Sequence, residues 1–246
     1  MSFERVASTG LGAEPAPNPG HTGVGQVEGV SPAMRLQILS TEHWSLLASR
    51  SLAWNESFSR AGMFLTTLTG AIVALALVAQ ASQFGEGFTL FALVILPIVL
   101  FIGVATMMRL GASNYHEARC VVGMNRIRAA YLELAPDLER YFVMSAHDDA
   151  RGIGITMGVQ PGGAVSWVGQ ILAGTPTVVM ILNSVLAGVI AAVIALRVGV
   201  VVSEILGFGA LGFLVAMVLQ SLYARATIAK GLADYRPLFP TPAGDR

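Results

Sequence analysis

Carboxylate and histidine side chains are the first residues that could do chemistry. Glu56 lies in a long segment without internal Gly or Pro, and the adjacent His116 and Glu117 lie in a second segment expected to be helical. If the two segments form a helical hairpin that turns near residue 84, these side chains come to the same level. Metal sites in helical bundles use carboxylates and histidines from facing helices, so a divalent-metal or acid/base site is one interpretation. The alternative is ordinary interhelical bonding, with Glu56 near Arg119.

The same hairpin predicts ion pairs between its helices. It places Glu42 opposite Arg126 and Arg128. We therefore expect Glu42 to pair with one of these two arginines.

The densest run of metal-ligand side chains is His147-Asp148-Asp149. Imidazole and carboxylate groups are both metal ligands, so this run is a second candidate metal site. It lacks a matching second group elsewhere in the chain, and the alternative is a solvated turn.

Three residues are candidates for an ion or proton pathway. Glu204 lies within a predicted membrane span, where a carboxylate is costly unless it is paired or used. Arg197, on the preceding turn, offers the alternative of a structural ion pair. Asn183 lies in the span before that turn, where an amide can instead bond a neighbouring helix.

Motifs of the common enzymes are absent. The sequence has no GxxxxGK[ST], no GxGxxG following a strand, no HExxH, no GxSxG and no CxxC. Phosphate, dinucleotide, zinc-protease, serine-hydrolase and redox sites are therefore unsupported. We name no catalytic residue and expect no cofactor, and enzymatic activity stays an open alternative.

Composition indicates a membrane protein. Of 246 residues, 54% are hydrophobic and only 12% are charged, whereas soluble domains carry about 25% charged residues. The net charge is zero, so no basic surface points to nucleic acid. The predicted fold is an all-α membrane protein with four transmembrane helices arranged as two hairpins.

The four predicted spans are uncharged or nearly uncharged apolar runs of about 20 residues, the length that crosses a bilayer. They cover residues 63–81, 88–108, 176–196 and 199–221. Buried helices of a soluble protein are the alternative. Small residues (Ser184, Gly188 and Ala192; Ser203 and Gly207) predict close packing of the last two spans.

The first hairpin is expected to extend beyond the bilayer. Residues 32–60 contain no Gly or Pro after Pro32, and the second helix is expected to end before Pro136. Apolar residues at near-helical spacing predict that the extended parts of the two helices pack against each other as a stalk. These residues are Leu36, Leu39, Leu46, Leu47, Trp54 and Phe58 in the first helix, and Val121, Met124, Ile127, Tyr131 and Leu134 in the second.

The remaining organisation follows from composition. We expect a disordered cytoplasmic tail at residues 1–30, a long helical hairpin at 31–135, and a cytoplasmic short helix with a Gly-rich interfacial or re-entrant segment at 136–175. A transmembrane hairpin at 176–222 and a cytoplasmic tail at 223–246 are expected to follow.

Arginine distribution predicts the orientation. The loops near residues 84 and 198 hold few basic residues, and both termini and the central loop hold many. The positive-inside rule places both termini and the central loop in the cytoplasm of a bacterial cell. Expected partners are the lipid bilayer, further copies of the chain and a cytosolic protein bound by the extended helices.

Two stretches resemble uncharacterised multi-span membrane proteins of GC-rich bacteria. They are the segment from Glu42-His43-Trp44 to Ser59-Arg60 and the segment Gly123–Arg128 with His147-Asp148-Asp149. The resemblance covers about residues 35–150 and carries no activity or functional residue with it.

The leading functional hypothesis is a self-associating protein that forms a small-solute or ion channel or serves as an accessory membrane subunit. A metal-dependent membrane enzyme and a stalk-like scaffold that docks cytosolic partners are the alternatives.

Overall fold

The computed structural model describes residues 30–158, 174–233 and 235–242. Within these ranges the chain is helical and has no strand. The helices are α1 (Pro32–Ser82), α2 (Glu86–Leu134), a 3-10 helix (Pro136–Tyr141), α3 (Ala150–Thr156), α4 (Thr175–Arg197) and α5 (Val202–Leu232). The all-α prediction is confirmed. The predicted disordered tail before residue 30, and most of the Gly-rich segment predicted as interfacial or re-entrant, lie outside the described residues.

Four of the helices are long and apolar enough to cross a membrane: α1, α2, α4 and α5. Helices α1 and α2 have 51 and 49 residues, which at 1.5 Å per residue gives about 75 Å each. A bilayer core needs only about 30 Å. Both helices therefore continue well past their apolar runs, and we call residues 32–60 of α1 and 110–134 of α2 the stalk.

A tight reversal joins α1 to α2. Ser31 caps the start of α1, and its Oγ accepts a hydrogen bond from the Met34 N–H at 3.3 Å. The helix is followed by Gln83 and Phe84, which have φ values of 49° and 59°. This left-handed backbone cannot continue a helix, because Cβ crowds the following carbonyl. The chain therefore turns back at once, and α2 starts at Glu86.

The two helices contact each other from this turn to the far end of the stalk. Ser113 Oγ donates to the Ala53 carbonyl at 2.9 Å. Further out, the His43 and Tyr131 rings stack with centroids 6.1 Å apart. These contacts fix the register of α2 against α1.

Helices α1, α2 and α4 share one apolar core, which includes Phe64, Leu68, Leu96, Val99, Val179 and Leu186. All three helices also meet at Gly103 of α2. A Cβ at this position would collide with Asn183 Oδ1 and with the Phe64 ring. Gly103 therefore lets the three helices meet.

Helices α4 and α5 pack through small residues. A Cβ on Gly188 would lie 2.7 Å from the Gly209 carbonyl oxygen, and one on Gly212 would lie 2.7 Å from the Ala191 Cβ. The expected small-residue contact therefore exists, but α5 makes it with Gly209 and Gly212. The predicted Gly207 has no neighbour within 4 Å of a Cβ, since it lies on another side of α5.

Candidate functional site

The stalk holds a cavity of about 420 Å³ between α1 and α2. It lies beside the predicted ends of the first two spans and is lined by Ser49, Leu52, Ala53, Glu56, Arg109, Ala112, Ser113 and His116. This lining includes two of the three residues of the first predicted metal site. Its chemistry depends on whether the Glu56 carboxylate is available.

The Glu56 carboxylate forms ion pairs with two arginines. Its Oε1 lies 2.9 Å from both Arg60 Nε and Arg109 Nη2. Hydrogen bonds from Arg109 and then from Arg60 hold the pKa of Glu56 below its usual value. A carboxylate kept ionised by two guanidinium groups is a weak general base. The predicted neighbour Arg119 is not its partner, because the register brings Arg109 opposite Glu56.

Glu117 has a separate partner. Its Oε1 accepts from Arg50 Nε at 3.0 Å, while His116 Nε2 lies 3.7 Å from the Cys120 sulfur. In residues 30–158, 174–233 and 235–242, no three or more His, Cys, Asp or Glu side chains group as metal ligands do. The structure thus does not bring Glu56, His116 and Glu117 together around a common point.

The run His147-Asp148-Asp149 is a structural anchor for the chain's C-terminal part. Asp148 is 0% exposed, and it accepts hydrogen bonds from the N–H groups of Leu238 at 3.0 Å and Phe239 at 2.8 Å. Arg126 Nε donates to Asp148 Oδ2 at 2.8 Å, the oxygen that also accepts from the Leu238 N–H. The solvated-turn interpretation is wrong for Asp148, because its carboxylate is buried and accepts hydrogen bonds from three groups.

Asp149 extends this anchor. It caps α3 by accepting from the Gly152 N–H at 2.9 Å, and it accepts from the Thr241 N–H at 3.0 Å and from Thr241 Oγ1 at 2.9 Å. Burial raises the pKa of Asp148 and of Asp149, but the hydrogen bonds lower each pKa by more, and both end below the usual value. Every carboxylate oxygen of Asp148 and Asp149 therefore accepts at least one hydrogen bond within the fold.

The predicted pairing of Glu42 is wrong. Arg126 is paired with Asp148, and Arg128 Nη1 donates to Asn125 Oδ1 at 2.7 Å. Within the described ranges, Glu42 forms no ion pair shorter than 4 Å. The loop after α2 folds back and brings the buried carboxylate of Asp148 to Arg126, so that Arg126 pairs with Asp148 and not with the exposed Glu42.

Asn125 is a residue that the sequence reasoning missed. It is fully buried, its Nδ2 donates to the His147 carbonyl at 2.7 Å, and its Oδ1 also accepts from Thr156 Oγ1 at 2.9 Å. It thereby ties α2 to the loop and to α3. An asparagine amid apolar helix positions was the available signal.

A polar cluster joins α4 to α5 within their apolar runs. Asn183 Nδ2 donates to Gln220 Oε1 at 3.1 Å, and Gln220 Nε2 donates to Ser184 Oγ at 3.1 Å. All three side chains are buried. Asn183, proposed for a pathway, therefore bonds the neighbouring helix, and Gln220 is its unpredicted partner.

The predicted Arg197–Glu204 pair is also replaced. Arg197 Nη1 lies 3.1 Å from Glu86 Oε1, at the start of α2. Glu204 lies in the first turn of α5, exposed, because that helix starts at Val202 and not at the predicted residue 199. A carboxylate there is favoured by the helix dipole and needs no partner.

Comparisons with protein-family models, curated proteins and solved structures give no match. The geometry alone must therefore indicate the function.

One feature of the stalk, an apolar stripe on α1, is left uncovered by the residues that the structure describes. Trp44, Trp54 and Phe58 are 69%, 61% and 70% exposed, and Leu47 and Ser51 between them are also exposed. We call these five residues the outer stripe. The prediction that Leu36, Leu47, Trp54 and Phe58 pack inside the stalk is wrong, because the face toward α2 is formed by residues such as Leu46 and Ala53.

The charges of the stalk part of α1 avoid this side. At about 100° per residue, the outer stripe and the exposed residues next to it (Thr41, Ser45, Ala48, Leu52, Asn55 and Ser59) cover roughly half of the helix. None of them is ionisable. All six ionisable residues of this part lie on the other half, and they are Arg35, Glu42, His43, Arg50, Glu56 and Arg60. A helix facing only water shows the reverse pattern.

Proposed function

We propose that this chain is a non-enzymatic membrane protein that acts as an accessory subunit or scaffold and binds protein through the outer stripe of its stalk. The observation that carries the proposal is the exposed, charge-free aromatic face of α1 outside the apolar runs. The arginine distribution supports a cytoplasmic stalk in a bacterial inner membrane.

Lipid is too far away to cover this face. Trp44 precedes the first apolar run, which starts at Met63, by a helix length of about 28 Å. The headgroup region adds only about 5–8 Å on each side of the hydrocarbon core. Only Phe58, near the end of the run, falls within reach of headgroups. Trp44 and Leu47 would stand in water, so another protein is the occupant that removes them from it.

The other functional hypotheses have less support in the geometry. The carboxylates of the two predicted metal sites are paired with arginines or with backbone N–H groups. Among the pathway candidates, Asn183 is bonded to Gln220, and Glu204 lies at an exposed helix start. The side chains of the outer stripe, in contrast, stay exposed among the described residues of a single chain.

Cysteine labelling tests the proposal without knowledge of the partner. Ser51→Cys lies on the outer stripe, and Arg119→Cys is an exposed control on α2, both in a Cys120→Ala background. In opened native membranes, where both sides are accessible, a charged maleimide should modify the control fast and Ser51→Cys slowly. Dispersal in detergent at high dilution should make the two rates similar.

A second pair of variants separates docking from local shielding. Adding Trp54→Glu and Phe58→Glu should expose Ser51→Cys in native membranes, whereas Glu42→Gln, on the charged half of α1, should not. Equal labelling of Ser51→Cys and Arg119→Cys in native membranes would rule out an occupied stripe.

A further inference from the structure

We infer that the occupant of the outer stripe is α1 of a second copy of this chain, packed parallel to the first. The inference rests on the proposed function and names the partner of the same surface. It draws on three observations: the continuation of the surface into the apolar run, its lack of charge, and its area.

The surface does not stop where the stalk ends. Gly62 of α1 is exposed on the same side as the outer stripe, and the exposed Thr66 and Gly70 lie about 40° and 80° further round the helix. A Cβ on either glycine would have no described atom within 4 Å. Small residues four positions apart let membrane helices approach closely. The span of α1 thus begins, at Gly62, with a small residue aligned with the aromatic stripe outside it.

The spacing is continuous across the boundary. The outer stripe at 44, 47, 51, 54 and 58 is followed by exposed residues at 62, 65, 69 and 72, so every step is three or four residues, and only the two consecutive steps of four around Phe58 break the alternation. This is the spacing with which two helices wind around each other. A cytosolic partner would cover only the stalk, and lipid would cover only the span. A partner that follows both must itself be a helix that crosses the membrane and continues beyond it, as α1 does.

The absence of charge favours an identical partner. In a parallel pair related by a two-fold axis, each residue lies near its own copy. Any Arg or Glu on the contact line would therefore meet the same charge at close range. The line from Trp44 to Ile72 holds no ionisable residue. Every copy also has the same topology in the membrane, so α1 crosses in the same direction in each copy and two α1 helices that pack together are parallel.

The area matches what such a pair needs. At the exposed fractions of Trp44, Trp54 and Phe58, and about 150–250 Å² for each aromatic side chain, these residues offer roughly 300–500 Å². A standard interface uses about 800 Å² on each partner. Leu47, Leu65 and Ile72, which are 41%, 43% and 57% exposed, together with the small residues between them, can supply the remainder.

Disulfide formation between copies tests the inference with matched residues. Two exposed serines of the stalk differ in direction, Ser51 on the line and Ser45 off it. Two exposed threonines of the span do the same, Thr69 on the line and Thr67 off it. Each is changed singly to Cys in full-length Cys120→Ala protein, in native membranes. A disulfide needs Cα atoms within about 7 Å.

We expect covalent dimers from Ser51→Cys and Thr69→Cys after mild oxidation, and at least tenfold less from Ser45→Cys and Thr67→Cys. Adding Gly62→Leu should abolish the Thr69→Cys dimer, while the open space beside Gly62 leaves the single chain folded, as its thermal midpoint would show.

The outcomes distinguish the two proposals. If neither Ser51→Cys nor Thr69→Cys forms dimers, but Ser51→Cys is still protected from maleimide, the second copy is excluded as the partner. The proposal that the stalk binds a protein then still stands. If Ser51→Cys is unprotected, both proposals fail. Dimers from Ser51→Cys alone, or equally from all four positions, contradict a contact that runs along α1.

Discussion

Asp148 and Arg126 lie 2.8 Å apart in an ion pair whose acid is wholly buried. The pair joins the loop before α3 to the middle of the stalk. The same carboxylate holds the backbone of Leu238 and Phe239, so three separate parts of the chain meet at one acid. This anchor determines where the C-terminal segment lies.

The first prediction concerns the anchor. Arg126→Gln leaves Asp148 buried without its cation, and breaking a buried pair costs about 3–5 kcal/mol, less here since Arg126 is partly exposed. We expect a clearly lower thermal midpoint and faster proteolysis near residues 235–242. Glu42→Gln should change neither. If Glu42→Gln were as damaging as Arg126→Gln, the pairing seen here would be wrong.

The second prediction concerns pH. Burial, and then the charge of Arg128, hold the pKa of His43 below its ordinary value of 6.5. The unfolded chain therefore takes up a proton here more readily than the folded chain. The contribution to stability is complete above pH 6.5 and declines as the pH falls through and below that value. Unfolding midpoints at pH 7.5 and 5.5 should differ less in His43→Phe, which keeps the ring beside Tyr131, than in the wild type.

The third prediction concerns Gly103. Gly103→Ala would drive a methyl group into Asn183 and Phe64, and such overpacking costs about 1–3 kcal/mol. Gly111→Ala is the matched control, because its Cβ meets nothing within 4 Å. It should be neutral or add up to about 1 kcal/mol, since alanine favours helix more than glycine does. Equal midpoints for the two variants would contradict the contact between α2 and α4.

The fourth prediction concerns Arg197, the last residue of α4. A double-mutant cycle of Arg197→Gln with Glu86→Gln should show coupling of about 0.2–1 kcal/mol, as exposed pairs do. The same cycle with Glu204→Gln should show none. Coupling to Glu204 would restore the pair expected from the sequence.

What could be predicted was local in the chain. The four apolar helices follow from uncharged runs such as 88–108, and the length of α2 follows from Pro136, which ends it. These signals involve neighbouring residues, and no distant contact is needed to interpret them.

What was missed depends on contacts between distant residues. Asp148 lies 90 residues from Leu238, and Arg197 lies 111 from Glu86, and no spacing rule reports such pairs. The predicted hairpin register is close to the observed one, since Ala53 lies beside Ser113 and Leu46 beside Gly123, but it did not show that Glu56 pairs with Arg109 and not with Arg119. The outer stripe was misassigned because apolar spacing shows that a helix has a buried face without showing which element buries it. The positions of the six ionisable residues would have located it.

The mass of the protein in lipid nanodiscs tests most directly whether the outer stripe binds a second copy. Wild type should have twice the mass of one chain, or a higher multiple. Trp54→Glu with Phe58→Glu should have the mass of a single chain, and Leu52→Glu with Ser59→Glu, on the exposed surface beside the stripe, should keep the wild-type mass. A stripe variant that retains the wild-type mass, or a wild type that is a single chain, would contradict the account.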